Sequence, residues 1–533
     1  MKKRPVRQEY LWVLAFAAGL VLLTGIPYLI ADSNSEAVFT GFIYGVEDGN
    51  SYIAKMLAGA QGDWLFRSPY TTAEQGGVPV YLPYLLLGKL FGPDVTHNQL
   101  VWLFHIFRSL SLIAVCLATY EFLALFLQSV KLRRLGLTLA ALGSGLGWVM
   151  LVFRVPNLLG SIPLDFYSPE TFGFLANFTI PHLVLARALL LWGLQRYLRP
   201  HTIWHQPWLT MLIWFALALC HPITAALGVG LIIAHQSFRL IALWAKNRKK
   251  RIEVPDNLHK AVWPILGAAP LLLVNGWLYV SDSYLRAWAA QNQILSPNVF
   301  HYILAYGWVL PFVYLGIRAM LARQPAKAEF LLVWSVLLPI LIYAPIGLQR
   351  RLAEGAWVML IVLSLYAFDQ GLMAMRRREL LVFSLAFPGT LVLLLGALQL
   401  ASTASTPIFR ATDEVTAFEE LRGLAPPGEV VLASYETGNA LPAWAPLRVV
   451  VGHGPESVGL DKLWPRLQAF YQGRTSDDVR LELLQQYGVD YVFWGPSEQG
   501  FGSWLPYEED YLELVVQVGD YGIYRVLADE AFD

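Results

Sequence analysis

Two adjacent carboxylates, Glu47 and Asp48, stand where an apolar stretch of helical period begins. A carboxylate held at a membrane surface can act as a general base, taking the proton from an attacking hydroxyl. The same pair also suits a helix start, where Asp48, ahead of Gly49-Asn50-Ser51, would accept from unpaired backbone N–H groups. A second constellation is basic. Arg350 and Arg351 are neighbours in Gly347-Leu-Gln-Arg-Arg-Leu-Ala-Glu354. Two guanidinium groups suit bidentate phosphate binding, whereas the plainer role is a pair of interfacial anchors salt-bridged to Glu354. Arg108 and Arg187 lie within apolar segments, where a charge costs about 2.5–3.5 kcal/mol on insertion scales. They read either as parts of a cationic cavity or as members of internal ion pairs; Glu121 reads as structural. His182 follows Pro181 and His221 precedes Pro222. Each alone suits a structural histidine, and a shared depth with Arg187 and Glu170 would make one polar site.

The elements that must hold these residues are membrane spans. The chain has 533 residues, 56% hydrophobic and 15% charged, against roughly 25% charged in an average soluble domain. That composition excludes a soluble enzyme, a disordered chain and a nucleic-acid-binding protein. Its zero net charge conceals a split. Residues 401–533 hold 21 of the 39 acidic and 8 of the 39 basic residues, a net of −13, which leaves +13 on the first 400. Apolar runs of spanning length fall at about 10–30, 98–128, 136–153, 179–198, 208–220, 222–244, 261–280, 300–322, 329–347, 355–374 and 380–400. That is about eleven spans, the first too long for a signal peptide. Cys220-His221-Pro222 is either a turn between two spans or a kink in one, and the loop charges favour the turn. With the N-terminus inside, the cytoplasmic loops take Lys131, Arg133, Arg134, Arg196, Arg199, Lys246, Arg248 to Arg251, Lys260, Arg323, Lys327 and Arg376 to Arg378. The opposite loops keep only Lys55, Arg67, Lys89, Arg154, Arg286, Arg350 and Arg351, a consistent positive-inside bias.

Three outer segments exceed mere connectors. Residues 31–97 carry Ile53, Met56, Leu57 and Ala60 at helical spacing, with Asn50, Ser51 and Lys55 on other faces, which suggests an amphipathic helix along the membrane surface. Residues 154–177 carry Asp165 and Glu170, and 281–298 form the third. The tail alternates helix patterns at 412–424, 459–471 and 477–487 with strand patterns at 430–433, 449–451, 489–494 and 522–526, a small α/β domain. Gly452-His453-Gly454, after a strand, reads as a ligand loop or, more simply, a turn. Tyr435, Trp444, Trp464, Tyr471 and Trp494 could stack on sugar rings but suit a core. Cys116 and Cys220 lie in apolar runs and imply neither disulfide nor zinc site. No metal-ligand spacing occurs, which leaves a divalent metal without motif support.

The stretch Glu47-Asp48-Gly-Asn-Ser-Tyr52-Ile-Ala-Lys55-Met, followed by Gly62-Asp63-Trp64-Leu65-Phe66, Ser68-Pro69-Tyr70-Thr71, Glu74, Tyr81 and Leu87-Gly88, resembles the first outer loop of GT-C glycosyltransferases. The likeness is to the family 39-like group, with protein O-mannosyltransferases and aminoarabinose transferases, and extends to about eleven spans and an outer C-terminal domain. The adjacent acids depart from the separated D-x-D of many members. In that family a loop-one carboxylate is the proposed base on the acceptor, which maps to Asp48 or Glu47.

The resemblance implies a mainly α, polytopic bundle over residues 1–400, with a C-terminal extracytoplasmic α/β domain over 401–533, in an inner or plasma membrane. It implies inverting transfer of a sugar from a polyprenyl-phosphate carrier to a glycan, lipid or protein acceptor on the outer face. Arg350 and Arg351, with Arg108, Arg187 and His182, would meet the carrier's phosphate. Tyr52, Lys55, Tyr70, Glu74, Asp165, Glu170, His221 and Glu354 complete the candidate set. Two other classes use the same residues differently: a transporter or flippase for a lipid-linked saccharide, and a scaffold in which Glu47 and Asp48 are dispensable.

Overall fold

The computed structural model describes residues 5–199, 206–246, 258–323 and 325–527. The basic groups Lys2, Lys3, Arg4 and Arg248 to Arg251 lie outside these. The chain forms two compact units, each assembled from separate stretches of sequence.

The first unit comprises Met1–Gly25, Ile106–Gly276 and Ile294–Gly396, and is helical. Its middle is the helix Ala356–Asp369, apolar all round and buried on nearly every side, as a helix without a polar stripe must be. The helix Leu310–Arg323 lies against it, and Gly316 permits the approach: a Cβ there would meet the Leu363 carbonyl. Helices Pro207–Cys220 and Pro222–Lys246 are separated by one extended residue, His221, and pack on each other, so Cys220-His221-Pro222 breaks the run into two helices.

Among the described residues six helices are long and apolar enough to cross a membrane: Arg7–Asp32, His97–Phe126, Pro222–Ala245, Lys260–Ser281, Gln349–Asp369 and Arg377–Ala401. A seventh arises if Val299–Tyr306 and Leu310–Arg323, bent by 71°, form one span. The remaining expected spans fall on shorter helices, among them Pro181–Leu198, Pro207–Cys220 and Ala328–Leu341.

The second unit comprises Ile26–His105, Trp277–Gln293 and Ala397–Asp533, so the first outer loop and the tail share one compact body. Strand β1 (Val38–Phe39) pairs antiparallel with β2 (Phe409–Arg410). The other sheet takes β3 (Val430–Leu432), β4 (Arg448–Val449), β5 (Tyr491–Trp494), β6 (Leu512–Val518) and β7 (Tyr521–Val526) in the order β4-β3-β5-β7-β6. β4, β3 and β5 run parallel, and β7 and β6 add an antiparallel hairpin. Helices Leu460–Phe470 and Asp477–Tyr487 follow the expected spans, and their Leu463, Leu467, Phe470, Leu483 and Leu484 join the core beneath the sheet. Strand β6 has no counterpart in the sequence reading, because its Glu513, Val516 and Gln517 pattern is interrupted by a bulge at Leu514/Val516.

Helix α1 is Arg7–Asp32, and the loop-one helix, α2, is Val46–Ala60. Its apolar face is buried as expected. Its other face is buried too: Asn50, Ser51 and Lys55 are 0–1% exposed. A surface helix would keep those groups in water; here Asn439 and Glu456 of the tail replace the water, so the expectation of an interfacial helix is corrected.

Candidate functional site

Glu47 and Asp48 lie in the first turn of α2, where the helix dipole favours negative charge. Neither caps the helix. Gly45, at φ +62°, swings the chain into it, a conformation that glycine adopts without strain. The two carboxylates then diverge. Glu47 Oε1 accepts from the Tyr435 hydroxyl and from the Gly454 N–H at 2.8 Å, which ties it to the tail. The Asp48 side chain is 56% exposed, and its Oδ1 lies 3.3 Å from His453 Nε2.

Beneath Asp48 the chain is polar and closed. His453 is buried, and its Nδ1 faces Glu456 Oε1 at 3.9 Å. Glu456, 1% exposed, is neutralised by Lys55 at 2.7 Å and accepts from Ser68 Oγ at 2.7 Å. Lys55 Nζ also stands 4.3 Å from the centre of the Tyr81 ring, a cation–π contact on its remaining side. Burial disfavours the ionised form of Glu456, but Lys55 and His453 outweigh it and hold the carboxyl below its usual range. Burial likewise disfavours a charged His453, yet Glu456 and Asp48 outweigh that and raise its pKa. Burial and the Glu47 charge push the Tyr435 hydroxyl up, so it stays protonated and donates.

The loop that carries His453 is held by backbone contact. Gly452 and Gly438 approach so closely that a Cβ on either would strike the other strand of chain. Ser457 Oγ accepts from the Gly452 and His453 N–H groups at 3.1 and 3.2 Å. From the third outer segment, the helix Ser283–Gln291 contributes Gln291, which bonds Ser457 O at 2.8 Å and Gly459 N at 2.7 Å. Other loop-one candidates are structural in their contacts. Tyr52 stacks on Tyr84 at 4.5 Å, and Tyr70 is fully buried with its hydroxyl on Asn439 O at 3.2 Å. Glu74 is exposed in the loop.

The basic candidates gather in the first unit. Arg187 forms a buried bidentate pair with Glu354, Nη2 to Oε2 at 3.1 Å, and donates to Pro169 O at 2.8 Å. Glu354 is therefore taken by Arg187, and the arginine pair faces Glu170 instead, Arg350 Nε at 4.0 Å and Arg351 Nε at 3.8 Å. Arg350 also lies 4.6 Å over the Tyr167 ring, and Arg351 Nη1 is 3.2 Å from His221 Nε2. His182 lies beside His221, their ring centres 5.8 Å apart. A cavity of ≈ 20 Å³, room for about one water, is lined by Glu170, Arg187, Asn177 and Trp357. Arg108 bonds Thr24 Oγ1 at 2.8 Å. Asp165 accepts from the Gly145 N–H, and burial raises its pKa to about 7 against three opposing backbone hydrogen bonds.

No family model matches the chain, and no curated protein matches it in sequence. Solved structures do. The apo structure of ArnT from Cupriavidus metallidurans superposes with a TM-score of 0.53 at 12% identity, over 96% of this chain and 97% of that one. The same enzyme bound to undecaprenyl phosphate gives 0.50 at 11%, over the same shares. The Archaeoglobus fulgidus oligosaccharyltransferase tethered with an acceptor peptide gives 0.52 at 14%, over 91% of this chain and 69% of that one.

The chain shares its fold with these two proteins. With its apolar helices, that fold makes the chain a multi-pass membrane protein. Sequence reasoning missed Glu456, preferred a turn to a ligand loop at His453, and read Tyr435 as core. The signal was thin: a histidine between glycines after a strand, with an acid three residues on. Among the described residues no group of three or more His, Cys, Asp or Glu could hold a metal ion. Around His453 the second carboxylate is already neutralised by Lys55, so that donor set does not fit a divalent cation.

Proposed function

We propose that the protein transfers a glycosyl group from a polyprenyl-phosphate carrier to an acceptor on the extracytoplasmic face, with inversion at the anomeric carbon. The observation that carries this is Asp48: an exposed carboxylate on the first turn of a loop-one helix, in a chain whose fold matches end to end an ArnT bound to undecaprenyl phosphate.

Asp48 takes the proton of the acceptor hydroxyl. The oxygen attacks the anomeric carbon as its bond to the lipid phosphate breaks, leaving polyprenyl phosphate and a protonated Asp48. Arg350 and Arg351 stabilise the charge that develops on the phosphate. Their partner Glu170 holds them only at 3.8–4.0 Å, which favours exchange for a phosphate oxygen. Arg187, locked to Glu354, is a fixed, charge-paired part of the wall rather than a movable ligand. Glu47, bound by Tyr435 and Gly454, anchors α2. The excess of basic residues in the loops assigned to one side supports an N-terminus in the cytoplasm and a tail outside.

The test supplies purified protein in nanodiscs with a panel of polyprenyl-phosphate sugars and membrane extract. Free polyprenyl phosphate should appear in step with glycosylated product, of inverted anomeric configuration. Carrier binding without product, lost in Arg350→Ala or Arg351→Ala, would instead indicate a transporter.

A further inference from the structure

His453 belongs to the tail, 405 residues from Asp48, and nothing in the reading above gives it a task. Both of its ring nitrogens face carboxylates: Nε2 faces Asp48 at 3.3 Å and Nδ1 faces Glu456 at 3.9 Å. The charged groups around it are Asp48 and Lys55 from α2 and Glu456 from its own loop. Tyr70 lies beside the ring, 5.4 Å between centres, and Glu47 is bound one residue away at Gly454. Two carboxylates against one ammonium leave this group short of one positive charge, which an imidazolium supplies. The ring cannot retreat, because the Ser457 bonds and the Gly438–Gly452 contact fix its loop. Asp48 has an exposed side chain on the helix surface, and a general base works only when held in one orientation.

We propose that His453, as the imidazolium, is a positioning residue for Asp48, donating from Nε2 to Oδ1 and so holding the carboxylate ionised in one orientation. This rests on the proposed role of Asp48 as base. The second carboxylate oxygen then takes the acceptor proton, and His453 exchanges none with the substrate. A consequence is an upper pH limit to turnover. When His453 gives up its Nε2 proton and keeps the one on Nδ1, toward Glu456, Asp48 loses its donor, and the raised pKa of His453 moves that limit above the ordinary imidazole range.

The experiment measures transfer by the full chain in nanodiscs from pH 5 to 9, for wild type, His453→Ala, His453→Gln and Asp48→Asn. His453→Ala should lower kcat by about 10²-fold, the scale of a misplaced catalytic group, with KM for the carrier unchanged. His453→Gln keeps an N–H donor without a titrating charge, and should recover most of kcat and lose the alkaline limb. Wild-type kcat in the alanine variant, equal loss in both histidine variants, or an alkaline limb that survives in His453→Gln overturns the proposal. If Asp48→Asn is inactive while the histidine variants are normal, only this inference fails; if Asp48→Asn is fully active, the base reading fails with it. Histidine NMR titration gives a readout that needs no turnover: Asp48→Asn should shift the titration of His453 to lower pH, and an unmoved titration contradicts the pairing.

Discussion

Glu47 and Asp48 are one peptide bond apart and about 100° apart around their helix, and that rotation divides their chemistry. Both are exposed to solvent, but Glu47 accepts from two donors of the tail, Tyr435 and Gly454, whereas Asp48 faces the His453 ring. Glu47→Gln should therefore keep transfer within about tenfold of wild type, since the amide oxygen can still accept from Tyr435 and Gly454; its main effect, at the scale of a hydrogen bond to a charged group, is a lower melting temperature. Sequence located the acidic pair but left the choice between its members open, because the groups that decide it lie roughly 390–410 positions away. Asp165 makes a separate case. Its folded pKa is raised to about 7 from 3.8, so it favours the folded state at acid pH, and that contribution is lost as pH rises through about 7. Asp165→Asn keeps an acceptor for Gly145 and removes the charge. Thermal melts from pH 5 to 9 should lose their decline near 7 in this variant; an unchanged profile would show that the decline has another source.

At the scale of elements, α2 is the piece that the sequence described half correctly. The 3.6-residue spacing of Ile53, Met56, Leu57 and Ala60 gives the helix and its apolar face. The fate of its polar face depends on Glu456 and Asn439, residues with no local link to it. The Lys55–Glu456 pair is nearly solvent-free, so removing one partner strands a buried charge, at a cost of about 3–5 kcal/mol. Lys55→Met should lower the melting temperature sharply, and Lys55→Met with Glu456→Leu should recover part of that loss, as a double-mutant cycle would show. Equal losses in the two variants would mean that the pair is not coupled. In the first unit, Glu170→Gln should tighten carrier binding by removing the charge that competes for Arg350 and Arg351. Weaker binding in that variant would make Glu170 a support of the arginine pair rather than a competitor.

At the scale of the whole molecule, composition made the membrane class legible, and the local alternation of helix and strand patterns made the tail's α/β character legible. They did not make legible that the first outer loop and the tail build one compact unit, since that association is carried by contacts distant in sequence, such as the β1–β2 pairing, Ser68–Glu456 and Tyr70–Asn439. The count of crossings blurred for a related reason: helices of 14 to 18 residues, such as Pro207–Cys220 and Pro181–Leu198, are packed rather than long. Single cysteines placed near Arg134 and near Tyr507 should label from opposite sides of an intact membrane; labelling from one side contradicts the orientation derived from loop charges. The measurement that bears most directly on the central claim is transfer from polyprenyl-phosphate sugars by Asp48→Asn, with carrier binding recorded in the same nanodiscs. A general base contributes about 10²–10⁴-fold, so the account predicts a loss of kcat on that scale with binding retained. Wild-type turnover in Asp48→Asn would contradict it.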